Sequence, residues 1–213
     1  MGERAPREAA LVARSPIAPA PPATVEQGWE ISARRSVARL RLTDATPLAK
    51  VLVRAAADGP VARGLEIRFG RAARDADGVL VVGSGPGEWL LLAPPGTAPE
   101  IARRVTARAD GEFASTFDVT HGRALMRLSG APASDALAKV CAIDLSDGVT
   151  PDGAAVRTSV AKLVTDLVRD DRGGEPSYLL HCERSSGQYL FDALLDAGDE
   201  FGVDVDGFVF PGV

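Results

Sequence analysis

Cysteine, histidine and basic charge are all scarce in this 213-residue chain, and each scarcity removes a class of function. The two cysteines, Cys141 and Cys182, sit in hydrophobic contexts. A disulfide framework is therefore not expected, and a reducing cytoplasm is. The two histidines are His121 and His181, and only Cys182 adjoins one of them. Zinc takes three protein ligands in catalytic sites and four in structural ones, and neighbours on a strand point to opposite faces. Packed or surface roles are expected for both histidines. The formal net charge of −5, with no basic cluster interleaved with aromatics, argues against a nucleic-acid partner. The longest apolar runs, Val79 to Val82 and Trp89 to Ala93, are strand-sized and too short to span a bilayer. Residues 1–28 have no apolar core of the kind a secretory signal needs.

Catalytic signatures are scarce too. No Gly-x-Ser-x-Gly elbow occurs, and neither histidine has an evident nucleophile partner. Cys182 lies between His181 and Glu183, where a carboxylate opposes a reactive thiolate; Cys141 reads as core filler. The run Arg169-Asp-Asp-Arg-Gly-Gly lacks the alternating oxygen ligands of a calcium loop and is flanked by arginines, so a solvated turn is expected.

What is present is the composition of a soluble globular protein, 46% apolar and 25% charged. Residues 1–28, rich in Ala and Pro, read as a flexible arm. Alternating or short apolar patterns then predict strands at Ser36–Thr43, Leu48–Arg54, Val79–Val82, Glu88–Ala93, Phe117–Thr120, Arg123–Ser129 and Ser177–Glu183, with two more across a bend in Val156–Arg169. Helices are expected around Val61–Ile67, at Pro99–Arg108 behind a Thr97 cap, across Ala136–Cys141, and over Gly187–Phe201. The same grammar occurs twice. It predicts an α+β protein with a first subdomain at 29–112 and a second at 113–213, each an antiparallel sheet covered by helices.

The stretch Gly83-Ser-Gly-Pro-Gly-Glu follows an apolar run, as phosphate-binding loops do. A phosphate loop, however, opens a helix and offers consecutive backbone N–H groups. Here Pro86 interrupts the run, and Glu88-Trp-Leu-Leu-Leu-Ala continues as a strand, so a hairpin turn is expected.

Five segments resemble, in order, the gamma subunit family of heterotetrameric sarcosine oxidase. They are Ala13-Arg-Ser-Pro-Ile-Ala, Gly87-Glu-Trp-Leu-Leu-Leu-Ala-Pro, Asp118-Val-Thr-His-Gly-Arg-Ala-Leu-Met-Arg-Leu-Ser-Gly, Leu137-Ala-Lys-Val-Cys-Ala-Ile-Asp-Leu and Gly153-Ala-Ala-Val-Arg-Thr-Ser-Val-Ala-Lys. Asp-Val-Thr-x-Gly-Arg also resembles the wider glycine-cleavage T-protein superfamily. The resemblance implies two ferredoxin-like α+β subdomains in a T-protein-like folate-binding fold without the C-terminal barrel. It implies an accessory chain with no catalytic, cofactor or metal residues of its own. FAD, FMN, NAD and tetrahydrofolate would be held by alpha, beta and delta-type partner subunits that demethylate sarcosine to glycine and transfer the one-carbon unit. The alternative from the same superfamily is a free-standing folate-binding or aminomethyltransferase-like one-carbon enzyme.

In those relatives an acidic residue and an asparagine-containing turn orient the pterin. This chain has Val79–Val82 and Ala93-Pro94-Pro95-Gly96 instead, so a pocket walled by aliphatic side chains and proline is expected. Candidate partner contacts are Arg14, Ser15 and Pro16 in the arm, Trp29 just after it, and Arg123 and Arg157, whose planar guanidinium groups suit carboxylates. An Asp118–Arg123 ion pair is the default role for that motif.

Overall fold

The computed structural model describes residues 11–212. The chain begins with β1 (Ala13–Arg14), β2 (Ala23–Glu26), β3 (Trp29–Ser32), β4 (Leu40–Asp44) and β5 (Ala49–Ala55). Next come α1 (Pro60–Leu65), β6 (Ala72–Arg74), β7 (Leu80–Gly85), β8 (Glu88–Ala93) and α2 (Ala98–Ala107). The second half contains β9 (Ala114–Asp118), β10 (Arg123–Ser129), α3 (Ala133–Ala138), β11 (Ala155–Val160) and β12 (Leu163–Arg169). It closes with β13 (Ser177–Glu183), α4 (Gly187–Gly198) and β14 (Val203–Asp206).

The result is a mixed α+β protein dominated by strands in three sheets. A six-stranded sheet runs β11-β12-β13-β10-β4-β14, a five-stranded sheet runs β6-β7-β8-β5-β9, and the arm forms a small sheet β1-β3-β2. Pairing within the two large sheets is antiparallel except for β14, which joins β4 in parallel. The sheets interleave across the expected 112/113 boundary: β4 joins the sheet of the second half, and β9 joins that of the first.

The large sheets face each other through Leu80, Val82, Leu90 and Leu92 on one side and Leu125, Val168 and Leu179 on the other. Helices α1 and α2 cover the outer face of the five-stranded sheet, packing Val61, Leu65, Ile101 and Val105 on Val51, Val53, Val81 and Leu91. Helices α3 and α4 cover the six-stranded sheet through Leu137, Leu190 and Leu194 on Leu42, Met126 and Leu180. Four layers result. Strands buried on both faces read as continuous apolar runs rather than as alternating ones, which is why Trp89–Ala93 is uniformly apolar. Each fully buried Leu or Val contributes about 1.5–3 kcal/mol.

The glycine stretch is the β7–β8 hairpin. Gly85 pairs with Glu88, leaving Pro86 and Gly87 as the turn, and Gly87 takes φ +69°. A proline followed by a positive-φ glycine is the chemistry of a type II turn. Gly83 serves another purpose: an added Cβ would overlap the carbonyl of Arg68, whereas one at Gly85 would meet only Glu88 Cβ at 3.6 Å. Gly83→Ala is therefore expected to destabilise by about 1–3 kcal/mol in a urea melt, and Gly85→Ala by much less.

Three local expectations change. The Ser36–Thr43 strand starts only at Leu40, and Val37 is fully exposed. Thr97 occupies the N-cap position of α2, but its hydroxyl donates to Pro94 O (2.7 Å) instead of accepting from the helix. The described part of the 1–28 arm, residues 11–28, is held on the body: Ile17 is buried in the core under α4, and Ala18 N donates to Gln188 Oε1 (2.7 Å). Residues 1–10 lie outside the described residues.

Candidate functional site

The inner faces of the two large sheets are apolar at their centre and charged at both ends. Period-two alternation decides which side chains point inward. Along β5 these are Lys50, Leu52 and Arg54; cross-strand pairing then fixes what each one meets.

At one end, Asp170 gathers three guanidinium groups. Arg74 Nη1 lies 2.6 Å from Oδ1, and Arg127 Nη2 and Arg172 Nη2 lie 2.7 and 3.0 Å from Oδ2. Burial raises the Asp170 carboxyl, but the hydrogen bond from Arg74 and the charges of Arg127 and Arg172 outweigh it and hold it well below the usual carboxylate range. Arg74 belongs to the five-stranded sheet and Arg127 to the six-stranded one, so Asp170 ties the layers together. Arg169 is buried beside it and donates to both oxygens of Asp171 (3.0 Å each) and to Thr150 O (2.7 Å). The solvated turn expected at Asp170-Asp171 is thus an ion-pair cluster with Asp170 buried. Arg169 grips Asp171 bidentately, and Arg74, from a different strand, does the same for Asp170.

At the other end the sheets part around a cavity of about 260 Å³ lined by Leu52, Arg54, Glu88, Leu90, Val119, Arg123, Arg157, Val164, Asp166, His181 and Glu183. Registry builds it. Arg157 is opposite Asp166, Asp166 opposite His181, and His181 opposite Leu125, forming one row across four strands. Arg54 is opposite Glu88 and Arg123 opposite Glu183. Arg157 Nε donates to Asp166 Oδ1 at 2.6 Å, Arg54 Nε donates to Glu88 Oε2 at 3.0 Å, and Arg123 pairs with Glu183. Phe117, opposite Leu52 on the edge strand β9, and Val164 are exposed at the mouth.

His181 is buried, with Nδ1 3.3 Å from Asp166 Oδ2. Burial holds its pKa below the ordinary histidine value, against the bond to Asp166. For Asp166, burial is outweighed by the hydrogen bonds from His181 and Arg157, and the carboxyl stays below its usual range. The ionised carboxylate places the imidazole proton on Nδ1, leaving Nε2 unprotonated and without a partner among the described residues. Val79–Val82 fill core and do not line this cavity, which is charged at its rim and floor.

Arg123 and Arg157, named separately from the sequence, meet in this cavity. Arg123 takes Glu183, not Asp118, whose carboxylate instead accepts from Thr120 N (2.9 Å). Trp29 is buried and stacks on His121 with ring centroids 5.0 Å apart, so it is a core residue and offers no free face. Arg14 pairs with Glu30 (3.0 Å), Ser15 Oγ accepts from Ile17 N (3.2 Å), and Pro16 lies against Gly187. Pro16 packs on the body of its own chain, while the cited contacts of Arg14 and Ser15 stay within the arm and β3 and leave the Arg14 side chain exposed. His181 and Cys182 point to opposite sides of the sheet, and burial pushes the Cys182 thiol up to about 11. Sequence reading passed over Glu88 and Asp166 and gave His181 only a packed or surface role. The available signal was a charged residue at an inward strand position. Among the described residues no group of three or more His, Cys, Asp or Glu side chains is placed to hold a metal ion, and no helix is long and apolar enough to cross a membrane.

The family model described as "Sarcosine oxidase, gamma subunit family" matches residues 54–200. The chain belongs to that family. A sarcosine oxidase subunit gamma from Corynebacterium sp. (strain P-1) is 31% identical over 141 residues, covering 66% of this chain and 67% of the relative. A chain of the heterotetrameric sarcosine oxidase from Corynebacterium sp. U-96, solved in complex with pyrrole 2-carboxylate, superposes with a TM-score of 0.67 at 24% identity, covering 81% of this chain and 90% of that one. The glycine cleavage system aminomethyltransferase T from Bartonella henselae gives a TM-score of 0.65 at 15% identity, covering 87% and 55%. The gamma family fold is thus structurally related to that of the T-protein.

Proposed function

We propose that this protein is the accessory, gamma-type subunit of a cytoplasmic sarcosine oxidase-type complex. In this reading alpha, beta and delta-type chains carry FAD, FMN, NAD and tetrahydrofolate and perform the oxidative demethylation of sarcosine to glycine with one-carbon transfer. This chain packs against them without a redox cofactor of its own. Family membership over residues 54–200 carries the reading, and the fold shared with a chain of a heterotetrameric sarcosine oxidase supports it. The two facing sheets correspond to the paired ferredoxin-like subdomains of a T-protein-like folate-binding fold, with no C-terminal barrel among the described residues. Cys141 and Cys182 are free and buried, as suits a reducing compartment.

The chemistry of the chain agrees with a non-redox role. The Cys182 thiol is protonated at neutral pH, and the arginines of the charged cavity are engaged by carboxylates. Co-expression with flavoprotein subunits, followed by purification and cofactor analysis, tests the proposal. The expected result is a stoichiometric complex in which flavin and NAD stay with the other chains when this one is removed. A lone monomer that binds tetrahydrofolate tightly would instead support the free-standing one-carbon enzyme, a reading favoured by the charged cavity in a T-protein-like fold.

A further inference from the structure

The charges of the inter-sheet cavity are layered by depth. The side chains of Arg54, Arg157 and Arg123 are 62, 52 and 34% exposed, with Glu183 beside them at 65%. Below them Glu88 and Asp166 are 18 and 19% exposed, and His181 is 7% exposed. The rim is therefore three guanidinium groups against one carboxylate. The floor is two carboxylates, with an imidazole held neutral behind them.

We propose that this cavity is a binding site for a small zwitterion, an ammonium and a carboxylate a few bonds apart, taken up with the ammonium inward. Arg157 already spans both floor carboxylates, 2.6 Å from Asp166 Oδ1 and 3.6 Å from Glu88 Oε1, but a carboxylate accepts at about four lone-pair positions, so Glu88 and Asp166 keep acceptor capacity beyond their arginine bonds. The Nε2 of His181 has no partner among the described residues and almost no accessible surface, so the imidazole stands behind the floor and the two carboxylates are what the cavity offers to an N–H donor. The ligand's carboxylate meets the partly solvated guanidinium groups above, whose planar forks suit it. A bare amine would leave the positive rim unmatched. A bare acid would be held only by exposed, screened arginines, which bind weakly. Leu52, Leu90 and Val119 wall the space between the two layers and suit the ligand's short methylene link.

Methyl NMR of the full chain tests this, with Leu52, Leu90, Val119 and Val164 as reporters and glycine and β-alanine as probes. Acetate and methylammonium supply each half of the ligand alone. Saturable shifts confined to the cavity methyls are expected for at least one zwitterion, with each half-ligand at least about tenfold weaker. Arg157→Gln is expected to weaken binding by at least about tenfold, while Lys162→Gln, on the β11–β12 turn, leaves it unchanged. Should Arg157→Gln unfold, Arg54→Gln takes its place. Absence of saturation, a half-ligand binding as well as the zwitterion, or indifference to the arginine substitutions would each overturn the proposal. The inference does not rest on the assembly proposed above, so its failure leaves the co-purification result untouched.

Discussion

Asp170→Asn is expected to lower the unfolding free energy by about 3 kcal/mol or more, read from urea denaturation at pH 7. The substitution leaves Arg74, Arg127 and Arg172 crowded around a neutral amide, and removing one partner of a buried ion cluster typically costs about 3–5 kcal/mol. The lower end applies because Arg74 and Arg172 keep part of their solvent. Acid gives a second signature. The folded Asp170 carboxyl titrates below its ordinary value of 3.8, so its contribution is present above that value and is lost as pH falls through the folded value. The wild type is therefore expected to shed stability below about pH 4 by a margin that the variant, having none of this contribution, does not show. Asp147→Asn is the control: Asp147 also pairs with a buried arginine, Arg169, but its own carboxylate is solvated, and little change is expected. Equal losses from the two substitutions would remove Asp170 as the tie between the layers.

Lys50 produces the second large effect, a rise of stability with pH. Its side chain is fully buried on β5, and Nζ donates to Thr46 O (2.7 Å) and Leu48 O (2.8 Å). No carboxylate among the described residues lies within 4.0 Å of it. Burial lowers its pKa from 10.5 to about 7, more than the charges of Asp44 and Asp118 restore. Between those two values the unfolded chain binds more protons than the folded one, so stability increases with pH. From pH 7 to 9 the increase is expected to be about 2 kcal/mol. Above pH 9 the Cys182 thiol opposes it, because that group ionises near 9.0 when unfolded and near 11 when folded. Lys50→Met is expected to flatten the slope between pH 7 and 9, whatever it does to absolute stability by leaving two carbonyls unpaired. Thermal unfolding across that window decides it; a slope that survives the substitution assigns the effect elsewhere.

The secondary structure was legible where local chemistry is strong. Pro86-Gly87 needs a turn, Glu88–Ala93 is too short and apolar for anything but a covered strand, and Gly187–Gly198 carries a helical apolar face. The free cysteines and the separation of His181 from Cys182 likewise follow from context and strand alternation. Legibility failed where a residue's role depends on a partner far along the chain. Arg169-Asp-Asp-Arg looks like a solvated turn until Arg74 and Arg127 arrive from two other strands. Trp29 looks like a docking anchor until His121, ninety-two residues later, stacks on it. The arm reads as flexible because Ala and Pro bury little surface, yet a single residue, Ile17, is enough to seat it in the core under α4.

Sequence alone settled most of the individual strands and helices, the hairpin at the glycine stretch and the ordered motifs of the gamma family, because these depend on neighbours within a few residues or on inherited pattern. Only the tertiary structure decided that Arg157, Asp166 and His181 stand in one row, that Glu88, paired with Arg54, meets Arg157 from the facing sheet, and that β4 and β9 exchange sheets. Strand register and the packing of one sheet on another bring together charges separated by more than a hundred residues, and neither is written in any local window of the chain.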